Sequence, residues 1–400
     1  MATPSPRVFR WGIISTGWMA GKFVDDLLID PKTRDVRDVV HKVVAVASRD
    51  VKKADDFVKD HVSTVQKDDS DPKATAYGSY DELYADENID VVYVGTPHTQ
   101  HYPAALGAIR AGKNVLCEKP VTANSFELKS LIAEAKKHNV FFMEAMWTKF
   151  QPLVREVKKI LDDEGELGVG RPVVLYADFS MNFRPHDLPL MHRLVDPKLG
   201  GGAMLDLGPY PLAWALMTIL EHPANNLQPP SSIQSSVIKF APTGVDQNTT
   251  ITLTFSNPTS TWKSSSDTTG PKPFTATAIL HSSLTIPDPT PGAVIRCERG
   301  TIEIHAPIPR STGFTVKYYN GPGEGEAGKV KKEFTREFEY EGFGWHFQAD
   351  EVARCVWGGK LESEQWGHEK SLVMMSVFDE VRRQCGYVFP EGVEHVVGDS

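Results

Sequence analysis

The chain has 400 residues, 40% of them hydrophobic and 24% charged, with a formal net charge of −9. That length predicts two or three domains with sizeable cores, and the mixed, net-acidic charge excludes the basic footprint of a nucleic-acid binder. The opening Met1–Pro6 lacks an apolar signal core, no apolar run nears the ~20 residues that span a bilayer, and Cys117, Cys297, Cys355 and Cys385 show no CxxC spacing. A cytoplasmic chain with free thiols and no membrane partner is expected.

In chain order, residues 8–15 read as a strand and 17–28 as a helix with Met19, Phe23 and Leu27 on one stripe. Further strands are expected at 43–47, 90–95, 115–117 and 140–143. Helices are expected at 51–60, 102–111 and 125–137, the second stopping at Gly112 as a left-handed cap. Strand–helix alternation predicts a doubly wound parallel sheet, a Rossmann-type first domain over 1–145.

Between the first strand and first helix stands Ser15-Thr16-Gly17-Trp18-Met19-Ala20, in the place of a G-x-G-x-x-G/A dinucleotide fingerprint. Gly17 would let the backbone approach a pyrophosphate at the positive helix end, and Ser15 replaces the first glycine. At the end of the second strand an NAD enzyme usually carries a carboxylate; here Ser48 and Arg49 stand instead. Arg49 suits a 2′-phosphate, so NADP is expected, the alternative being that Arg49 is a solvated surface charge. Asp50 reads as a helix N-cap. Thr96-Pro97-His98 follows the third strand, and His98 and His101 lack a third ligand, so a cofactor-side or substrate-side loop is expected and no metal.

Glu118-Lys119-Pro120 closes the next strand. Lys119 therefore stands at a strand's carboxyl end, where open α/β sheets bind ligands. Far along the chain, Asp206 and Tyr210 are the candidates to complete an acid–base set with it.

From about Met146 the pattern changes to a second domain over 146–400. A helix is expected at 152–161, a strand at 172–181, then an irregular loop with Asn182, Arg184, His186, His192 and Arg193. Gly200-Gly201-Gly202 leads to Asp206 and Tyr210, which share a face if that stretch is helical, and an apolar helix follows at 212–220. Residues 231–340 read as a large, open, mostly antiparallel sheet with a hairpin loop at 320–332, and helices at 345–357 and 369–385 close an α+β domain. One face of that sheet needs a cover: a second copy, giving a homodimer, or the chain's own helices.

The motifs at Ser15–Ala20, Gly95-Thr96-Pro97-His98, Glu118-Lys119-Pro120 and Gly200–Tyr210 resemble the Gfo/Idh/MocA oxidoreductases over nearly the whole length. Met143–Thr148, His192–Pro197 and Leu205–Tyr210 look most like the dimeric dihydrodiol dehydrogenase group and its fungal NADP-dependent D-xylose relatives. Departures are Ser15, which that group shares, and Lys149 where relatives often carry arginine; insertions at 30–40 and 62–75 lie outside the motifs.

The resemblance implies Lys119, Asp206 and Tyr210 in the active site of an NADP-dependent enzyme that oxidises an aldose, D-xylose or D-glucose, at C1 to the lactone. Tyr210 is expected as general acid/base assisted by Lys119, and Asp206 as a sugar contact or a support for Lys119. Glu118 is expected to brace its turn, and Trp147 with Phe150 to wall the sugar or nicotinamide, or else to pack in the core. Asn182, Arg184, His192 and Arg193 are expected either on the sugar or in loop support. The alternatives are oxidation of a trans-1,2-dihydrodiol, a sugar–sugar oxidoreductase that keeps its NADP, and a non-catalytic NADP-binding regulator.

Overall fold

A computed structural model of the chain describes residues 5–66, 73–165, 167–263, 272–321 and 325–398. The chain divides into two compact units: Met1–Trp147 with Tyr340–Met375 and Glu391–Ser400, and Thr148–Glu339 with Ser376–Pro390. The division at 145/146 expected from sequence is therefore too simple, because the chain returns to the first unit twice.

The first unit opens with β1 (Arg7–Ile14), α1 (Trp18–Leu27), β2 (Val39–Ala47), α2 (Val51–Phe57), β3 (Thr75–Tyr77) and α3 (Tyr80–Tyr84). It continues with β4 (Val91–Val94), α4 (His101–Arg110), β5 (Asn114–Glu118), α5 (Ser125–His138) and β6 (Phe142–Ala145). The six strands are parallel in the order β3-β2-β1-β4-β5-β6, the doubly wound arrangement. β4 is buried along its whole length, as a strand covered on both faces must be. β3 and α3 have no counterpart among the elements expected from sequence; they are three and five residues long, too short to show periodicity. Part of the 62–75 insertion lies outside the described residues.

The second unit contains α6 (Pro152–Leu161), β7 (Pro172–Ser180), α7 (Ala203–Asp206), α8 (Pro209–Ala215) and then β8 (Ser232–Lys239), β9 (Asp246–Asn257) and β10 (Phe274–Ser283). β11 (Ala293–Cys297), β12 (Gly300–Ile304), β13 (Gly313–Tyr319) and β14 (Val330–Glu337) complete an eight-stranded sheet ordered β14-β13-β12-β11-β7-β10-β9-β8. Every pairing is antiparallel except β7 with β10. α6, α7 and α8 pack on this sheet, and Ile251, Leu253 and Phe255 of β9 are buried while Thr250, Thr252 and Thr254 alternate with them on a half-exposed face.

The last helices are α9 (Trp345–Trp357) and α10 (His368–Cys385). α9 packs against α1, and its N-terminus is capped in trans: the Asp26 carboxylate accepts from the backbone N–H groups of Phe343, Gly344 and Trp345 at 2.7–3.0 Å. Gly344, the residue before α9, supplies no side chain to cap it. This contact across 319 residues explains why α9 belongs to the first unit, and nothing local in the sequence signals it.

Among the described residues no single helix is long and apolar enough to cross a membrane. The apolar run through α8 continues into a π turn at Leu216–Leu220 and is buried in the second unit.

Candidate active site

Register in the first unit brings five strand ends level. Ile14 pairs with Ala47 and Val94, Val94 with Cys117, and Cys117 with Glu144. Ser15, Ser48, Gly95, Glu118 and Ala145 therefore lie along one carboxyl edge of the sheet, where doubly wound folds bind ligands.

At the centre of that edge, Ser15 takes a positive φ of 90°, the conformation glycine usually supplies, and its Oγ accepts from Gly17 N at 3.2 Å. The serine thus makes the tight turn and steadies it. Gly17 precedes α1 with no side-chain cap, so the first N–H groups of a ten-residue helix face outward unclaimed by the helix itself. Thr16 and Met19 are half-buried, and Trp18 is 68% exposed.

Ser48 is half-buried and Arg49 exposed at the end of β2. Asp50 is spent locally: its carboxylate accepts from Lys52 N at 3.0 Å and caps α2.

Thr96 is buried, yet its Oγ1 has no hydrogen-bond partner among the described residues. A buried hydroxyl without a partner costs free energy unless a ligand or water meets it. Pro97 and His98 lie at the surface beside it.

His101 departs from expectation. It is 1% exposed, and its ring spans two carbonyls, Nδ1 to Pro120 O and Nε2 to Thr96 O, each at 2.8 Å. Both nitrogens are occupied, so the ring ties two loops together and has no donor left for a cofactor. Burial lowers its pKa to about 4 although both carbonyls pull the other way.

Lys119 follows β5 directly and is 8% exposed. Beside it Glu118 accepts from Tyr93 Oη at 2.9 Å and from Lys119 N at 3.3 Å. Burial raises Glu118 to about 7, against the opposing pull of the Lys119 charge and the Tyr93 hydrogen bond. Tyr93 carries no functional signal in the sequence, because it sits inside an apolar strand; it stacks flat on Phe23 of α1 at 3.8 Å. Trp147 is 4% exposed and packs edge-to-face on Trp345 at 5.3 Å.

In the second unit the glycine run brings two distant pieces together. Gly202 has φ 121°, and a Cβ there would lie 2.0 Å from Asp246 Oδ1. Asp246 accepts from Met204 N at 2.6 Å and Thr249 Oγ1 at 2.8 Å, so it caps α7 from β9. Gly202 N also donates to Leu194 O at 2.9 Å, holding the loop that carries Arg193. Arg193 Nη1 meets Asp206 Oδ1 at 2.8 Å, with Asp206 buried and Arg193 half-exposed. Asp206 and Tyr210 do not share one helical face: Asp206 ends α7, α8 begins at Pro209, and the chain bends by 41° between them. Tyr210 is 7% exposed and meets Phe179 edge-on at 5.2 Å.

The other expected substrate residues divide. Phe150 is fully buried, which makes it core and removes it as a substrate wall. Arg184 pairs with Asp187 at 2.6 Å, Asn182 Oδ1 accepts from Arg184 N, and His192 Nδ1 accepts from Leu194 N. Those bonds all lie within the loop itself. Lys149 is buried and paired with Glu221. Among the described residues no group of three His, Cys, Asp or Glu is placed to hold a metal.

Residues 9–146 match the model of the Gfo/Idh/MocA oxidoreductases' NAD-binding Rossmann fold, and residues 154–303 match that family's C-terminal domain. The chain is 35% identical over 398 residues to D-xylose 1-dehydrogenase (NADP+) of Hypocrea jecorina, covering 98% of this chain and 95% of the relative. It is 34% identical over 388 residues to trans-1,2-dihydrobenzene-1,2-diol dehydrogenase of Danio rerio, covering 96% and 98%. This chain belongs to the Gfo/Idh/MocA family. It is an NAD(P)-dependent oxidoreductase of CH–OH groups. A 3-ketoreductase from Actinomadura kijaniata superposes with a TM-score of 0.69 at 20% identity over 94% of this chain and 98% of that one, a likeness of fold. The uncapped α1 terminus and the orphaned Thr96 hydroxyl are the features of this chain that fit a bound dinucleotide.

Proposed function

We propose that the chain oxidises one carbinol of a ring-borne vicinal diol with NADP as acceptor, a trans-1,2-dihydrodiol ahead of an aldopyranose. The match from end to end with dihydrodiol dehydrogenases of several vertebrates, at 31–34% identity, carries this order. It reverses the order expected from the sequence. The aldose reading stays second on the 35% identity to the fungal D-xylose enzyme. Both substrate classes present a ring carbon bearing hydrogen and hydroxyl beside a second hydroxyl.

Such an oxidation removes a hydride from the carbinol carbon and a proton from its hydroxyl. The nicotinamide, when bound, takes the hydride. Tyr210 is assigned the proton. A phenol near pKa ~10 needs ~4 kcal/mol of differential stabilisation to act near neutrality. The Lys119 ammonium is assigned that role. Asp206, steadied by Arg193, is assigned to the neighbouring substrate hydroxyl, so Arg193 acts through Asp206. Ser48 and Arg49 are assigned the 2′-phosphate, the Ser15–Met19 turn the pyrophosphate, and Thr96 with Pro97 and His98 the nicotinamide half.

The half-exposed sheet face of the second unit supports pairing with a second copy, and the four free cysteines suit a reducing, cytoplasmic compartment. Light scattering of the purified chain tests the dimer.

Formation of reduced nicotinamide from benzene trans-dihydrodiol, D-xylose and D-glucose, with NADP and NAD side by side, tests the function. Preferred turnover of the diol with NADP is expected. Preferred turnover of a sugar promotes the second reading. Cofactor retained through purification with hydride passed between two sugars points to a sugar–sugar oxidoreductase, and no turnover at all points to a regulator.

A further inference from the structure

The C-terminal segment of the chain returns to the first unit and grips the two loops that follow β4 and β5. Asn124, one residue before α5, uses its side chain in both directions: Oδ1 accepts from Glu127 N at 2.8 Å and caps the helix, while Nδ2 donates to Glu394 Oε1 at 2.7 Å and Val396 O at 2.9 Å. Glu127 is 1% exposed; it accepts from His395 N at 2.7 Å and from Ala123 N at 2.9 Å. His395 stacks on Tyr102 of α4 with ring centres 5.7 Å apart, and its Nε2 donates to Thr99 O at 3.3 Å.

Thr99 lies in the short turn His98–Gln100, three residues after the orphaned Thr96 hydroxyl. Asn124 lies five residues after Lys119. His101 already ties Thr96 O to Pro120 O within the sheet edge. The returning segment ties the same two loops again from the far end of the chain, 296 residues from Thr99. Its bonds use two deeply buried side chains, Asn124 and Glu127, which would otherwise need other partners.

We propose that His395, with the segment around it, is a positioning residue for the nicotinamide half of the cofactor site. The clamp holds the Thr96–His98 loop in its binding shape before the cofactor arrives, so less ordering free energy is spent on binding. The proposal rests on the assignment of that loop to the nicotinamide half. The adenosine half, at Ser48 and Arg49, belongs to a different strand end and is not touched by the clamp.

The test compares the affinities of the full-length chain for NADP and for adenosine 2′,5′-bisphosphate, which lacks the nicotinamide half. His395→Ala should weaken NADP about 5- to 10-fold, the loss of one hydrogen bond and a ring stack, and leave the bisphosphate within about twofold. His395→Gln keeps a side-chain donor for Thr99 O and should recover part of the loss. It also serves as the measurable variant if the alanine chain folds poorly. Equal weakening of both ligands would mean a general structural role and overturns the proposal, as does unchanged NADP affinity. Thr96→Val separates the causes of failure. If it weakens NADP while His395→Ala does not, the clamp alone is wrong; if neither does, the loop assignment falls with it.

Discussion

Two polar clusters of the first unit are buried to similar degrees and close their hydrogen bonds differently. In one, Asp350 of α9 receives Arg34 through two bonds of 2.8 Å and His41 through one of 3.0 Å, and Trp11 Nε1 donates to His41 Nδ1 at 3.0 Å. The tautomer follows: Nδ1 accepts, so Nε2 carries the proton and donates to Asp350. Burial lowers the His41 pKa in spite of Asp350, in keeping with that neutral ring. In the other cluster, at the carboxyl edge of the sheet, the Thr96 hydroxyl has no partner among the described residues and Glu118 is pushed up to about 7. The bonded network holds elements together, whereas an orphaned group at a strand-end edge leaves a position that a ligand can meet.

The largest effect that sharpens this contrast is at Lys119. Lys119→Ala should lower kcat about 10²- to 10⁴-fold, the range for losing a group that supports proton transfer, with little change in thermal midpoint. Tyr210→Phe should do the same. A variant of either that turns over normally breaks the mechanism and leaves the fold untouched.

The closed cluster should answer in stability. Asp350→Asn leaves Arg34 buried without its counter-charge, which typically costs about 3–5 kcal/mol. Activity per folded molecule should stay near wild type. The wild-type chain carries the same signature in its pH dependence. Burial pushes Asp350 up, but Arg34 and His41 outweigh it and hold its pKa at about 2, below the ordinary 3.8. A depressed carboxylate contributes stability that is present above its unfolded pKa and lost as pH falls through the folded one. Denaturation midpoints should therefore drop between about pH 4 and pH 2 in wild type and less so in Asp350→Asn. Equal acid sensitivity of the two chains would break the account.

The same contrast explains what was legible in the sequence. The parallel sheet was readable because apolar runs such as 91–94 and helices such as 125–138, with Leu128, Leu131, Ile132 and Ala135 on the buried side, carry their signal locally. So was the carboxyl edge, since a fingerprint turn and a strand-end lysine are contiguous motifs. Closure over distance was not readable. Asp26 capping α9, Asp246 capping α7, and Asn124 holding Val396 each join residues 42 to 319 positions apart. His101 shows the cost of that blindness. By spacing it belongs with His98 at the cofactor, and only the two carbonyls it bridges reveal a tie between loops. Phe150 shows it again, as an aromatic residue near the site by sequence and core by burial.

Arg49 carries the smallest expected effect and tests the open edge from its other side. It is exposed, and the neighbouring Asp50 carboxylate is engaged with the backbone as the cap of α2. A charge-assisted hydrogen bond to a 2′-phosphate contributes about 1.5–3 kcal/mol, although exposure and salt reduce the value here. Arg49→Ala should raise the KM for NADP about tenfold and leave the KM for NAD unchanged, because NAD has no 2′-phosphate to lose. The penalty should shrink as ionic strength rises. Equal losses for both cofactors would place Arg49 on a group the two share, such as the adenine face, and would move the source of NADP preference to Ser48.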